Sequence, residues 1–152
     1  GKVFFNAGAL YHDVLKDLEA AQGYYTQAIA HYKIVPSVDD QDRTIIRCTR
    51  LLLDKDMPRA ALEMVRNIKI DLSSKTGIQA CLCSSKVYLS LGNYPKALGF
   101  AELTKESAEL KGMIFEAQES QKIREEIRIT NPDIHPSPAE LLLGDMPAAA
   151  EL

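Results

Sequence analysis

The string DMPRA, Asp56 to Ala60, has a close counterpart in NYPKA, Asn93 to Ala97, and another in DMPAA, Asp145 to Ala149. Each holds Asp or Asn, a large apolar residue, proline, any residue, then alanine. A fourth copy, Asp17-Leu18-Glu19-Ala20-Ala21, lacks the proline. Pro58 and Pro95 lie 37 residues apart, and Leu18 precedes its counterpart Met57 by 39. A period of roughly 35 to 40 residues is the mark of stacked helical pairs. The string itself reads as helix initiation. Asp or Asn accepts a hydrogen bond from an unpaired first-turn N–H, and proline there has no N–H to waste and a suitable backbone angle. The alanine then removes bulk where the new helix meets the preceding one, and Met or Tyr plugs the joint.

The flanking segments supply the helices. In TGIQACLCSSKVYLSL, residues Ile78, Cys81, Leu82, Ser85, Tyr88 and Leu89 recur at helical spacing, and Gly92 closes the helix. DRTIIRCTRLLLDKD carries Ile45, Cys48, Leu51 and Leu52 on one stripe, broadened by Ile46 and Leu53. Met57, Ala61, Met64, Val65 and Ile68 form a further apolar face, Leu98, Ala101, Leu103 and Leu110 another, and Met113, Ile114, Ala117, Ile123 and Ile127 a third. Sustained alternation of period two is missing, so strands are not expected. Breaks fall at IVPSVDDQD, IDLSSKTG and TNPDIHPSP, and the prolines of the last end a long helix near Thr130. The expected organisation is helical hairpins over residues 1–129, a proline-rich loop over 130–138, and the start of a further, truncated hairpin over 139–152.

Composition bounds the function. The chain has 152 residues, 46% hydrophobic and 26% charged, with a net charge of −3 and a pI near 5.6. That balance offers no general attraction to phosphate backbones or anionic lipid, so neither nucleic acid nor membrane is an expected partner. No apolar run approaches the roughly 18 residues a span requires, and GKVFFNAGAL lacks the order of a signal peptide. Three cysteines give no disulfide framework. The expectation is an intracellular protein, cytoplasmic or nuclear. Cys81 and Cys83 point roughly 200° apart on a helix and cannot share a metal. With Cys48 they read as small buried hydrophobes.

Catalytic groups do not converge. His12, His31 and His135 fall in different helices or loops without a ligand-spaced carboxylate or cysteine, and read as surface or boundary residues. Phosphate-binding glycine loops are missing too, so neither an enzyme nor a cofactor is expected. Tyr24, Tyr25 and Tyr32, at helical spacing, read as packing residues. Arg43, Arg47 and Arg50 stack along one side of a helix. They are either a solvated flank paired with nearby aspartates or a contact for an acidic strip on a partner.

These residues resemble the tetratricopeptide repeat family of roughly 34-residue helix-turn-helix units. The best match runs from Gln79 to Lys105, where Tyr88, Gly92-Asn93-Tyr94, Ala97 and Phe100 look like the family's Tyr, Gly-Asp-Tyr, Ala and aromatic positions. The first unit matches through Gly8, Tyr11, Ala21 and YYTQAI, with a one-residue slip between its halves. In the second, Ala60 and the Asp-Met-Pro turn fit, but Arg47 stands where an apolar residue is customary. The resemblance covers most of residues 2 to 110. It implies an all-α, right-handed solenoid of antiparallel helix pairs whose first helices line a concave groove. The groove would be lined by Asp42, Ile45, Thr49, Leu52 and Leu53 from the second unit, and by Gln79, Leu82, Lys86, Leu89 and Ser90 from the third. The family's carboxylate clamp is absent, because its places hold Asn6, Leu10, Ile46, Gln79 and Cys83. The implied function is a scaffold within a larger protein or multisubunit complex, gripping a partner helix or extended peptide. The alternatives are an RNA-binding helical repeat or the regulatory domain of a larger enzyme. A final helix left without a polar cap is further expected to promote self-association through the C-terminal end.

Overall fold

The structure is a computed structural model that describes residues 1–34 and 38–144. Among these the chain is helical throughout, with no strand, as the sequence requires. The helices are α1 (Lys2–Ala9), continued by a π-helical turn (Leu10–Val14), then α2 (Leu18–Ile34), α3 (Val38–Asp54), α4 (Pro58–Val65), α5 (Lys75–Ser90), α6 (Tyr94–Lys111), α7 (Ile114–Thr130) and α8 (Ala139–Gly144). The third copy of the repeated string, Asp145 to Ala149, lies outside the described residues, as does most of the further hairpin expected over 139–152.

The chain divides into two compact units, Gly1–Met64 and Val65–Leu152. In the first, α2 packs against both α1 and α3. In the second, α5, α6 and α7 pack on one another and α8 lies on α6. Comparable side-by-side packing is absent between α3 and the short α4. The alanine expected to draw successive helices together does so at α6, where Ala97 is fully buried and its carbonyl accepts from the Ser85 hydroxyl of α5 at 2.7 Å.

Four helix junctions among the described residues share one device. Lys16 (φ +57°), Asp56 (+57°), Gly92 (+79°) and Gly112 (+69°) each take the left-handed conformation and end one helix. The next residue, Asp17, Met57, Asn93 or Met113, starts another by accepting the N–H of an alanine four positions on: Ala21, Ala61, Ala97 or Ala117. At Gly92 the neighbouring N–H groups bond back to Leu89 and Tyr88, capping the open carbonyls of α5. Two of the expected side-chain caps are present: Asp17 accepts from Ala20 N and Asn93 from Lys96 N.

The second copy differs. Asp56 is not the cap of α4; it occupies the left-handed position that Gly92 holds, and Met57 takes the place of Asn93. Aligning the strings on proline therefore puts them one residue out of register. Proline is tolerated at either of the first two helical positions, because neither N–H has an intrahelical partner. Pro58 opens α4, whereas Pro95 is second in α6. The buried alanine of the second joint is accordingly Ala61, not Ala60, and the expected plug Met57 is 42% exposed.

The first unit departs from regular α-helix between α1 and α2. Leu15 N bonds to Leu10 O, and Asp17 N to Tyr11 O, so the backbone is locally wound wider than an α-helix. A π turn absorbs an extra residue without ending the helix. Within this turn lies His12, which the sequence places at the surface or boundary but which is buried. His31 and His135 are exposed as expected.

Candidate interaction surface

The positions expected to line a groove fall partly on α3 of the first unit and partly on α5 of the second. In the first, α3 is strongly amphipathic because Ile45, Ile46, Cys48, Leu51 and Leu52 form its inner stripe. Three of the expected groove positions, Ile45, Thr49 and Leu52, belong to this buried face. Thr49 stays buried because its hydroxyl donates to Ile45 O at 2.8 Å. Asp42 and Leu53 are half-buried, Arg47 likewise, and Arg43 and Arg50 are exposed. Burial, with the charge of Asp39 adding, raises the Asp42 carboxyl above its ordinary pKa.

Two of the three ladder arginines are engaged within the first unit. Arg47 donates to Asp13 Oδ2 at 2.8 Å, and Arg43 approaches Asp40 at 3.7 Å. Both guanidiniums lie over the Phe5 ring, 5.6 and 5.9 Å from its centre. Partial burial pushes Asp13 up, but the hydrogen bond and charge of Arg47, helped by His12 and Arg50, outweigh it and hold the carboxyl below its usual value. Beside this pair, His12 Nε2 meets Asp54 Oδ2 at 2.7 Å, tying the π turn to the end of α3. His12 also stands edge-on to Tyr25, whose hydroxyl burial pushes up to about 12. Tyr25 packs inside the first hairpin, and Tyr24 stacks on Tyr11 at 5.2 Å.

In the second unit, the α5 positions split in the same manner. Leu82 is buried, Gln79, Lys86 and Leu89 are half-buried, and Ser90 is exposed. Lys86 reaches Glu119 of α7 at 3.1 Å, and Gln79 approaches Glu116 at 3.5 Å. Glu119 is held below its ordinary pKa by the hydrogen bond from Lys122, then by Lys86, against the opposing effect of burial. The polar part of this face is thus closed on α7, a pairing that the sequence did not reveal. Its signal was available in Glu116 and Glu119, three apart on one helix side, matched to Gln79 and Lys86, two turns apart on another.

A second feature went unforeseen. Between α6 and α7 runs an open groove of roughly 400 Å³, floored by Ala108, Met113, Ile114 and Ala117 and edged by Lys105 and Gln121. Leu110 and Ile114, expected on inner stripes, are 83% and 70% exposed. The buried line of α6 runs through Leu98, Ala101, Thr104 and Ala108, and that of α7 through Ser120, Ile123 and Ile127. All three cysteines are buried and outside any disulfide, as expected. Burial raises Cys48 to about 11 and Cys81 to about 12.

Among the described residues, no group of three or more His, Cys, Asp and Glu side chains is placed to hold a metal ion. None of their helices is long and apolar enough to cross a membrane. Comparison with family models, curated proteins and solved structures returns no match to this chain.

Proposed function

We propose that the chain is a protein-interaction scaffold: a right-handed solenoid of tetratricopeptide-like helix pairs that takes a partner helix or extended peptide on α3 of the first unit or on α5 of the second. It works by binding rather than catalysis, as part of a multiprotein complex. The observation that supports this reading is the recurring joint, in which a left-handed residue, a helix start and an alanine four positions later repeat at four helix junctions. The accessible contacts on this reading are Asp42, Arg43, Arg50 and Leu53 on α3, with Leu89 and Ser90 on α5. Arg47 and Lys86, already paired, contribute by fixing their neighbours.

Selection of displayed helical and extended peptides against the whole chain tests the proposal. Leu53 and Leu89 are the residues to change, because Leu52 and Leu82 are buried and a carboxylate there would damage the core. Peptides enriched by the wild type should bind at least about tenfold more weakly to Leu53→Glu or Leu89→Glu, with thermal midpoints preserved, a loss of roughly 1.4 kcal/mol. Binding indifferent to both substitutions would refute it.

A further inference from the structure

The helix formed by α1 and the π turn is apolar on two opposite sides but packed on one. Its inner side, at Phe5, Gly8 and His12, meets Tyr25 of α2. A Cβ added at Gly8 would lie 2.6 Å from the Tyr25 ring, and the Phe5 and His12 rings stand 6.1 and 6.3 Å from its centre. The opposite side carries Val3, Ala7, Leu10 and Val14, at intervals of four, three and four residues. Val3 is 77%, Leu10 47% and Val14 67% exposed, and Ala7 is half-buried. A helix with apolar residues all round is one that is covered all round. Intervals of four and three make a seam along which a second helix lies lengthwise, so the cover that fits is another helix.

We propose that this seam pairs with itself: a second copy of the chain docks antiparallel along it, about a two-fold axis passing between Gly8 and Ala9. The order of the side chains points to a second copy. Reversed about that axis, Val3 meets the partner's Val14 and Ala7 meets the partner's Leu10, so the smallest residue of the seam faces the largest. A two-fold interface makes each of these contacts twice. Charge agrees with the same register. Exposed Lys2 arrives on the flank of the partner's Asp13, about 3 Å away along the helix axis. The Asp13 side chain stays 46% exposed even while paired with Arg47. A parallel pair would instead set Lys2 against the partner's Lys2 and Leu10 against the partner's Leu10. Four residues a side make a small interface, so the pair forms reversibly and only at sufficient concentration. This surface is separate from the α3 and α5 contacts and stands or falls without them.

Sedimentation equilibrium of the full chain, between micromolar and millimolar concentration, tests the pairing. The wild type should pass from monomer to dimer. Leu10→Glu should raise the dissociation constant at least about tenfold, with the thermal midpoint preserved because Leu10 lies outside the core. Leu110→Glu, at an exposed leucine of the second unit, should leave dimerisation unchanged. Orientation is read by oxidising a mixture of Val3→Cys and Val14→Cys chains, whose native cysteines are buried. The mixed disulfide should form faster than either self-linked pair, since antiparallel pairing alone brings the two positions within bonding reach. A chain that stays monomeric, a dimer indifferent to Leu10→Glu, or a dimer without the mixed disulfide overturns the proposal. So does a monomer that retains a displayed helical peptide through Leu10, which would assign the face to a different partner.

Discussion

Gly77 offers a sharp test of the packing that presents Gln79, Lys86 and Leu89. It lies in the first turn of α5, where helix propensity alone favours replacing glycine by alanine by about 1 kcal/mol. The surroundings forbid it. A Cβ built on Gly77 would fall 1.8 Å from the Asp71 carbonyl oxygen and 2.6 Å from its carbon. Backbone cannot move aside as a flexible side chain can, and this loop is held by Ser74 N to Asp71 O and by Ser73 to the Asp71 carboxylate. Gly77 N–H also donates to Ser74 Oγ, the cap of α5, at 2.9 Å. Overpacking costs about 1–3 kcal/mol and a weakened cap about 1 kcal/mol more. After subtracting the propensity gain, Gly77→Ala should destabilise by about 1–3 kcal/mol, a fall of about 3–10 °C in thermal midpoint for a chain of this size. Gly23, exposed in α2 with nothing within 4 Å of its would-be Cβ, is the control. Gly23→Ala should raise the midpoint by about 2–4 °C. Paired calorimetric scans decide the matter: a Gly77→Ala midpoint at or above that of Gly23→Ala would refute the close approach of Asp71 to α5.

Other expectations rest on the joints, the ion pair and the thiols. Asp56→Gly should stabilise by about 0.5–1 kcal/mol in denaturant titration, since aspartate bears a steric cost at left-handed φ that glycine does not. Met57→Asn should add about 1 kcal/mol by giving α4 the side-chain cap that Asn93 gives α6, with little burial lost. Arg47→Ala should lower the midpoint at pH 7. Because the folded Asp13 pKa is depressed, its stabilisation is present above the unfolded value, about 4, and disappears as pH falls through the lower folded value. The gap between wild type and Arg47→Ala should therefore shrink as the pH falls below about 4. Cys48 and Cys81 should resist a thiol reagent at pH 8 in the native chain and react promptly after denaturation, because burial suppresses both thiolates.

What could be read from the residues was the class of element and many of its inner positions. On α5 the sequence placed Ile78, Cys81, Leu82, Ser85, Tyr88 and Leu89 on one stripe, and all are buried except Leu89, which is half-buried. It closed that helix at Gly92 and the later one near Thr130, where α5 and α7 end. The failures share a cause. Thr44, Thr104, Ser84 and Ser120 lie in buried stripes because each hydroxyl donates to a carbonyl three or four residues back in its own helix. A side chain that satisfies its own donor can stand in for an apolar residue. Reading hydrophobic letters alone therefore extended the stripes to Leu110 and Ile114 and passed over Thr104 and Ser120. The groove positions split for a related reason: a resemblance fixes which helix face is meant, whereas Leu52 is sealed and Leu53 is not because of the width of the stripe in this particular chain.

The repeated string invites the thought that its proline and acid are the repeating parts, yet neither recurs in every joint. Gly112-Met113 has no proline and no acid, and it joins α6 to α7 with the same left-handed residue, the same helix start and an alanine four places on. That alanine, Ala117, is half-buried, whereas Ala21, Ala61 and Ala97 are fully buried. The invariant is thus geometric: one residue with positive φ reverses the chain, the next presents its carbonyl, and a small side chain one turn later admits close approach. Side-chain caps, prolines and plugging residues are interchangeable means of stabilising that geometry, each contributing on the order of 1 kcal/mol. None of them is common to all four joints of this chain, whose turn is nonetheless the same.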